Sequence, residues 1–265
     1  MKNDLFSIGP LTIHGYGLMI AIGVLAAYYT VEYRSKKRGM DENRVFSLAI
    51  WAVLGGFLGA KVLYLITELP AILREPSMIW NSFENGFVVY GGILGGIFGG
   101  WIYCRRAKWD FLKVFDLVAP SLALAQGFGR IGCFLAGCCY GHEVSASNPI
   151  AIVFHDSAYA PNNVPLIPTQ LISSLFNFVN CAVLFWLSRR LKREGQVAGC
   201  YLIFYSVGRF IIEFFRGDLI RGSVGVLSTS QFISIFTLLG GLLLTFAYPA
   251  LSRRKEASAP QEEEK

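Results

Sequence analysis

Apolar residues run along this chain in long, nearly unbroken blocks separated by short clusters of charge. Seven blocks reach the length a membrane-crossing helix needs, about 20 residues: roughly 16–33, 45–66, 86–103, 112–128, 169–188, 197–215 and 227–249. The pattern predicts an all-α integral membrane protein of about seven transmembrane helices, one polytopic domain over residues 1–250. The first block lacks the marks of a cleaved signal peptide, because Lys2 is followed by Asp4 and no A-x-A site closes the run before Glu32. Residues 251–265 end in SRRKEASAPQEEEK, which predicts a disordered cytoplasmic tail.

Composition agrees with the pattern. Of 265 residues, 54% are hydrophobic and only 16% are charged, with a mean hydropathy of +0.47. A soluble domain carries about 25% charged residues, so no room is left for a large soluble domain. Orientation follows from the lysines and arginines. The connections after blocks one, three and five carry five, four and four of them, from Arg34 to Arg44, Arg105 to Lys113 and Arg189 to Arg193, and the tail carries four more. The opposite side holds Lys2, Arg74, Arg130, Arg216 and Arg221. This asymmetry predicts an N-terminus outside and a C-terminus in the cytoplasm. It also accounts for the pI near 9.0 by topology signals and contacts to anionic membrane lipids, with no nucleic acid as partner.

The longest connection, residues 129–168, lies on the outer side by this reading. The alternating run IAIVF, Ile150 to Phe154, predicts a short strand in it, hence a small ordered extracytoplasmic element between spans four and five. In span three Gly91, Gly95 and Gly99 recur every four residues, and Gly92, Gly96 and Gly100 form an adjoining row, a small-xxx-small surface for close helix contact.

The unusual polar residues gather at one expected depth. Counting a rise of about 1.5 Å per residue from the cytoplasmic side, Arg209 lies about 18 Å and Glu213 about 24 Å into span six, and Lys61 lies about 24 Å into span two. Tyr205, Arg209, Glu213 and Arg216 share one helical stripe. Tyr16 opens span one, Tyr90 stands near the outer end of span three, and Arg130 follows span four. An arginine at this depth is costly unless an anion meets it, and a lipid phosphate is the anion available there. Arg209 with Glu213 is equally readable as a structural ion pair, and interfacial tyrosines as anchors.

Gly127, Gly129 and Gly132 spell G-x-G-x-x-G, yet they follow a lipid-type apolar run rather than a strand. They are therefore no dinucleotide fingerprint, and are expected to let the backbone bend toward a headgroup. Cys133, Cys138 and Cys139 fall outside, where a disulfide or packed thiols are expected. With His142 and His155 nearby but no paired C-x-x-C spacing, no metal is expected.

GFGRIGCFLAGCCYG at Gly127 to Gly141, together with HGYGLMIAIG, GGFLGAKVLY, GFVVYGGILGG, PTQL and YSVGRFIIEFFRGD, resembles the prolipoprotein diacylglyceryl transferase family over essentially the whole chain. The resemblance implies transfer of a diacylglyceryl group from phosphatidylglycerol to the lipobox cysteine in the signal peptide of a preprolipoprotein. It implies no cofactor, and a multi-pass place in the bacterial cytoplasmic (inner) membrane with the active site toward the extracytoplasmic face. It casts Arg130 as headgroup ligand, Arg209 as second phosphate clamp, Glu213 as its orienting partner and Tyr90 as the group standing where some members have a histidine. Tyr16 and Tyr205 would shape the site and Gly141 would close a turn, while Gly132, Lys61, Arg216 and Gln170 are further candidate substrate-binding residues. Members also carry Asn where Cys133 stands and Glu where Cys138 stands. A transporter or flippase for an anionic lipid or solute, and an inactive lipid-binding homologue, are the alternative readings.

Overall fold

The computed structural model describes residues 4–8, 11–75, 77, 86–218 and 222–250. The tail expected to be disordered, along with Lys2 and Arg221, lies outside them. A two-stranded antiparallel ribbon of β1 (Asp4–Ile8) and β2 (Leu11–His14) leads into α1 (Gly15–Lys36). Then follow α2 (Glu42–Thr67), the short α3 (Leu69–Arg74), α4 (Val89–Ala107) and α5 (Phe111–Ala136). After β3 (Ile152–Val153) and β4 (Pro165–Leu166) come α6 (Thr169–Arg190), α7 (Gln196–Glu213), β5 (Ser223–Val224) and β6 (Leu227–Ser228). The last helix is α8 (Thr229–Leu242), continued by a π-helical turn at Leu243–Ala247.

Each of the seven predicted blocks coincides with a helix. Five helices are long and apolar enough to cross a membrane by length and composition: Gly15–Lys36, Glu42–Thr67, Phe111–Ala136, Thr169–Arg190 and Thr229–Ala250. The other two carry the polar load, Arg105 and Arg106 ending α4 and Arg209 and Glu213 lying within α7. Only 6% of the apolar stretch of α2 is buried within the protein. Phe57 and Leu58 are 59% and 61% exposed, and Leu175, Trp186 and Phe246 likewise face outward. Apolar surface on this scale is costly in water and matched to lipid.

The chain divides into two compact units, Met1–Thr30 with Phe115–Lys265, and Val31–Val114. In the smaller unit α2 packs along α4, with Asp41 capping α2 through its Oδ1, which accepts the N–H of Asn43 at 2.8 Å. A side-chain carbon at Gly95 would fall 2.8 Å from the Gly59 Cα, inside any real contact, whereas one at Gly96 would come no closer than 3.4 Å to the Ala52 carbonyl. Of the two glycine rows, Gly91, Gly95 and Gly99 therefore form the contact face, the expected route to close packing of helices in lipid.

In the larger unit a core of Ala119, Ala123, Cys181, Leu184, Val197 and Tyr201 joins α5, α6 and α7. Asp116 fixes the start of α7, which lacks a side-chain cap of its own. Its carboxylate accepts the N–H groups of Gly195 (2.8 Å) and Ala198 (2.7 Å). Residues 137–168 form an ordered element around buried Phe154, Ala160 and Leu166, with β3 paired to β4. The expected strand at Ile150 to Phe154 is shorter, Ile152–Val153, with Phe154 bridged to Asn162. The fourth block ends later than expected. Helix α5 runs unbroken past Gly127, Gly129 and Gly132 to Ala136; Gly127 and Gly132 admit neighbours, Phe178 and Tyr16, rather than bend the backbone.

Gly95→Ala is expected to destabilise the protein by about 1–3 kcal/mol, read as thermal unfolding in detergent, and Gly96→Ala to leave it nearly unchanged. Equal effects at both positions would remove the distinction between the two rows.

Candidate functional site

The site is built in the larger unit from α1, α5, α6 and α7. On α6 the polar residues Thr169, Gln170, Ser174, Asn177 and Asn180 recur at helical spacing and turn inward. Ser174 donates its hydroxyl to the carbonyl of Gly127 at 2.9 Å, and the bare Gly127 lies against the Phe178 ring. These contacts hold the C-terminal half of α5, and with it Arg130, beside α6.

Arg130, Ile172, Ser173, Phe176, Asn177, Tyr205, Gly208, Arg209, Ile211 and Ile212 line a pocket of about 180 Å³. Two guanidiniums from different helices thus share one largely apolar recess. Arg209 is held on both sides: it pairs with Glu213 one turn on at 2.8 Å and donates to Ser230 Oγ of α8 at 2.6 Å. A capping box at the start of α8, with Ser228 and Gln231 exchanging hydrogen bonds, keeps Ser230 in place. Arg130, by contrast, has no ion pair among the described residues. Tyr16 abuts the same stretch of α5, since a Cβ at Gly132 would lie 3.2 Å from its ring edge and from its carbonyl.

Arg216 continues the α7 stripe but is committed elsewhere. Its guanidinium forks onto Asp218, at 2.8 Å and 2.5 Å, and sits 4.0 Å from Glu213. Burial alone would pull it below the usual guanidinium value, but the Asp218 hydrogen bond and nearby Cys139 and Glu213 push it above. Its charge is secure and mostly neutralised by Asp218.

A strap of backbone hydrogen bonds ties the end of α7 to the segment after α5. Gly141 N–H donates to Ile167 O, His142 N–H to Phe215 O, Gly217 N–H to Tyr140 O and Ile167 N–H to His142 O, all at 3.0–3.1 Å. Gly141 was expected to close a turn; instead it is buried between two extended segments, bridged to Arg216, because a Cβ there would meet Ile167 O at 2.6 Å and Phe215 O at 2.8 Å.

Just before the strap, Cys133, Cys138 and Cys139 bring their sulfurs within 4.8 Å of one another. None of the six cysteines is in a disulfide. Hydrogen bonds with Cys133 and Cys139, with burial, push the Cys138 thiol above the ordinary thiol range. His155 stands apart from the cluster, hydrogen-bonded through Nδ1 to Asn163 Oδ1 at 2.7 Å.

The other expected residues lie elsewhere. Gln170 does not line the pocket; its Nε2 donates to the carbonyl of Cys138 at 2.8 Å, and its Oε1 finds no donor among the described residues. Lys61 and Tyr90 belong to the smaller unit, where Lys61 lies 5.0 Å from the Phe87 ring and 5.4 Å from that of Tyr64, and Tyr90 opens the exposed start of α4. Ser230, Asn177 and Thr169 escaped the reading of the sequence, although the α6 polar stripe and the S-x-x-Q cap of α8 were both visible signals.

Fold and pocket define a mostly helical protein suited to a membrane, with Arg130 and Arg209 lining one pocket. The prolipoprotein diacylglyceryl transferase family model matches residues 3–247, and the chain belongs to this family. It is 50% identical over 244 residues to the phosphatidylglycerol–prolipoprotein diacylglyceryl transferase of Clostridium tetani, covering 92% of this chain and 96% of the relative. The Clostridium perfringens protein named transferase 2 is 48% identical, with 97% and 98% covered, and that of Staphylococcus carnosus 32%, with 90% and 87%.

Gly141→Ala is expected to lower the thermal midpoint and loosen the strap, since two of the nearest atoms are the backbone carbonyl oxygens of Ile167 and Phe215. Gly129→Ala, with nothing within 4 Å of the added carbon, should leave stability unchanged or raised by up to about 1 kcal/mol, as in any helix. Differential scanning measurements on both variants decide it; a harmless Gly141→Ala would dismiss the strap as a constraint.

Proposed function

We propose that this protein transfers the sn-1,2-diacylglyceryl group of phosphatidylglycerol to the lipobox cysteine in the signal peptide of preprolipoproteins, releasing glycerol phosphate. It works as a single seven-span domain in the bacterial cytoplasmic membrane, N-terminus outside, with its pocket toward the extracytoplasmic face. The observation that carries the reading is the unequal state of the two arginines in one pocket. Arg209 is balanced by Glu213, whereas Arg130 is not, so the pocket keeps about one positive charge, the complement of one phosphodiester.

The reaction alkylates sulfur: a thiolate attacks the glycerol C3 carbon, and the C–O bond breaks toward phosphate. Charge grows on the leaving phosphate, and two guanidiniums fixed in an apolar recess stabilise it more than the starting diester. Arg130 binds the headgroup and Arg209 forms the second half of the clamp. Glu213 and Ser230 aim Arg209, and Tyr205 and Tyr16 shape the recess. Gly132 admits Tyr16 to α5, and Gly141, Arg216 and Gln170 hold the walls of the site. Lys61, as a further headgroup cation, and Tyr90, as the candidate proton acceptor, are carried by the sequence reading alone, with Glu213 or water as the other proton routes.

Purified protein incubated with phosphatidylglycerol and a lipobox peptide should yield a peptide whose mass has gained the diacylglyceryl thioether. Arg130→Ala should abolish the product and Arg209→Ala reduce the rate by about 10²–10³-fold, the scale of one lost transition-state donor. Full activity in Tyr90→Phe would exclude the tyrosine as base. No thioether from wild-type protein that still binds phosphatidylglycerol would sink the assignment.

A further inference from the structure

The mechanism above uses none of the thiols of Cys133, Cys138 and Cys139, which the structure brings together just past Arg130. Cys133 lies on α5 three residues after Arg130, while Cys138 and Cys139 return to it from the following turn, giving three sulfurs within 4.8 Å. The turn is shaped for this return. Gly137 and Cys139 both adopt left-handed backbone, at φ 73° and 64°. For cysteine that conformation is disfavoured and persists only when its surroundings enforce it.

Those surroundings are visible. The Cys138 N–H donates to Cys133 O at 3.1 Å, Gln170 Nε2 donates to Cys138 O at 2.8 Å, and Thr169 Oγ1 donates to Cys139 O at 2.7 Å. Thr169 and Gln170 are 2% and 1% exposed. Such outer hydrogen bonds are what orient ligands in a metal centre. Two thiols would suffice for a disulfide; here three converge, and all donors in the cluster are sulfur.

We propose that Cys133, Cys138 and Cys139 bind a soft divalent cation of the zinc class and that its open fourth position takes the substrate cysteine as a thiolate. This rests on the transferase reading above and supplies the step which that reading leaves to Tyr90, Glu213 or water. Three sulfurs around zinc at about 2.3 Å stand about 3.8 Å apart in tetrahedral geometry, so the cluster needs to contract by no more than about 1 Å. Three protein ligands with one open position is the arrangement of a reactive rather than a structural zinc site. Thiolate donors select zinc-class ions over magnesium or calcium. On binding, the three thiols release their protons to water, and the complex of three thiolates with a dication carries one negative charge; Arg130, three residues before Cys133 and without an acid partner among the described residues, is the cation placed to offset it.

The lipobox thiol enters as fourth ligand and releases its proton to water, since a metal-bound thiol is deprotonated outright. Its sulfur then attacks the glycerol C3 carbon. The new C–S bond forms as the C–O bond breaks, and the electron pair leaves on the phosphate monoester held by Arg130 and Arg209. The thioether product, a neutral and weaker ligand, departs and reopens the position. Nucleophile and leaving group must meet within about 3–3.5 Å of one carbon. Cys133 follows Arg130 by three residues, a rise of about 4.5 Å along α5, so thiol and phosphate are brought to neighbouring positions.

The test uses the full chain purified in detergent. Elemental analysis should find about one zinc per chain, and cadmium substitution should give the ultraviolet thiolate-to-metal charge-transfer band. Stripping wild-type protein with a chelator should cut thioether formation by about 10²-fold or more, the scale of losing a group that removes a proton, with recovery on adding zinc ions. Phosphatidylglycerol binding, read as thermal protection by the lipid, should persist. The Cys133→Ser, Cys138→Ser and Cys139→Ser variants should lose zinc together with transfer. Full transfer by the metal-free protein overturns the proposal and leaves the transferase reading standing, as does recovery of a disulfide among these three cysteines in active protein. Zinc held by the thiols with no thioether formed under any loading overturns the transferase reading and the activation step with it.

Discussion

Keeping Arg209 charged inside an apolar helix bundle is the constraint around which the larger unit is arranged. A guanidinium cannot shed its proton, so an intramembrane arginine has to be paired, hydrogen-bonded or met by an anion. Glu213 provides the pair within α7, and Ser230 provides the hydrogen bond from α8, whose start is fixed by its own capping box. One side chain therefore couples two helices. Removing Glu213 would strand a charge, which costs far more than the pair contributes when intact. Arg216 meets the same demand at the end of α7 by forking onto Asp218.

The second arginine of the pocket is left with a different solution. Arg130 is positioned by the packing of α5 against α6 and by the bare surface of Gly132 beneath Tyr16, rather than by an acid. A position secured by packing leaves the guanidinium's donors available to a ligand. The strap through Gly141 then joins the segment after α5 to the end of α7, so that the two arginine-bearing helices are linked beyond the pocket as well as across it. Donors fixed in this way pay no reorganisation when a charge arrives between them.

Helix positions were legible in the sequence because block length and apolarity are local properties, and all seven blocks became helices. The contact face of α4 was half legible: both glycine rows were visible, but which one meets α2 depends on helix rotation, a tertiary quantity. The α7 stripe of Tyr205, Arg209 and Glu213 was legible for the same reason of spacing. What escaped was anything requiring two distant segments at once, such as Ser230 against Arg209, Thr169 and Gln170 against the cysteine carbonyls, and Asp116 on the start of α7. The end of α5 was misjudged because glycines read as a bend where they serve close packing, and a helix supported on several sides tolerates them.

The cysteines show how these levels meet. Cys133 follows Arg130 by three residues on α5, and Cys138 and Cys139 return to it from the segment beyond the helix. Thiols rather than carboxylates at these positions place no acid beside Arg130, and the same three residues put only soft sulfur donors around one point.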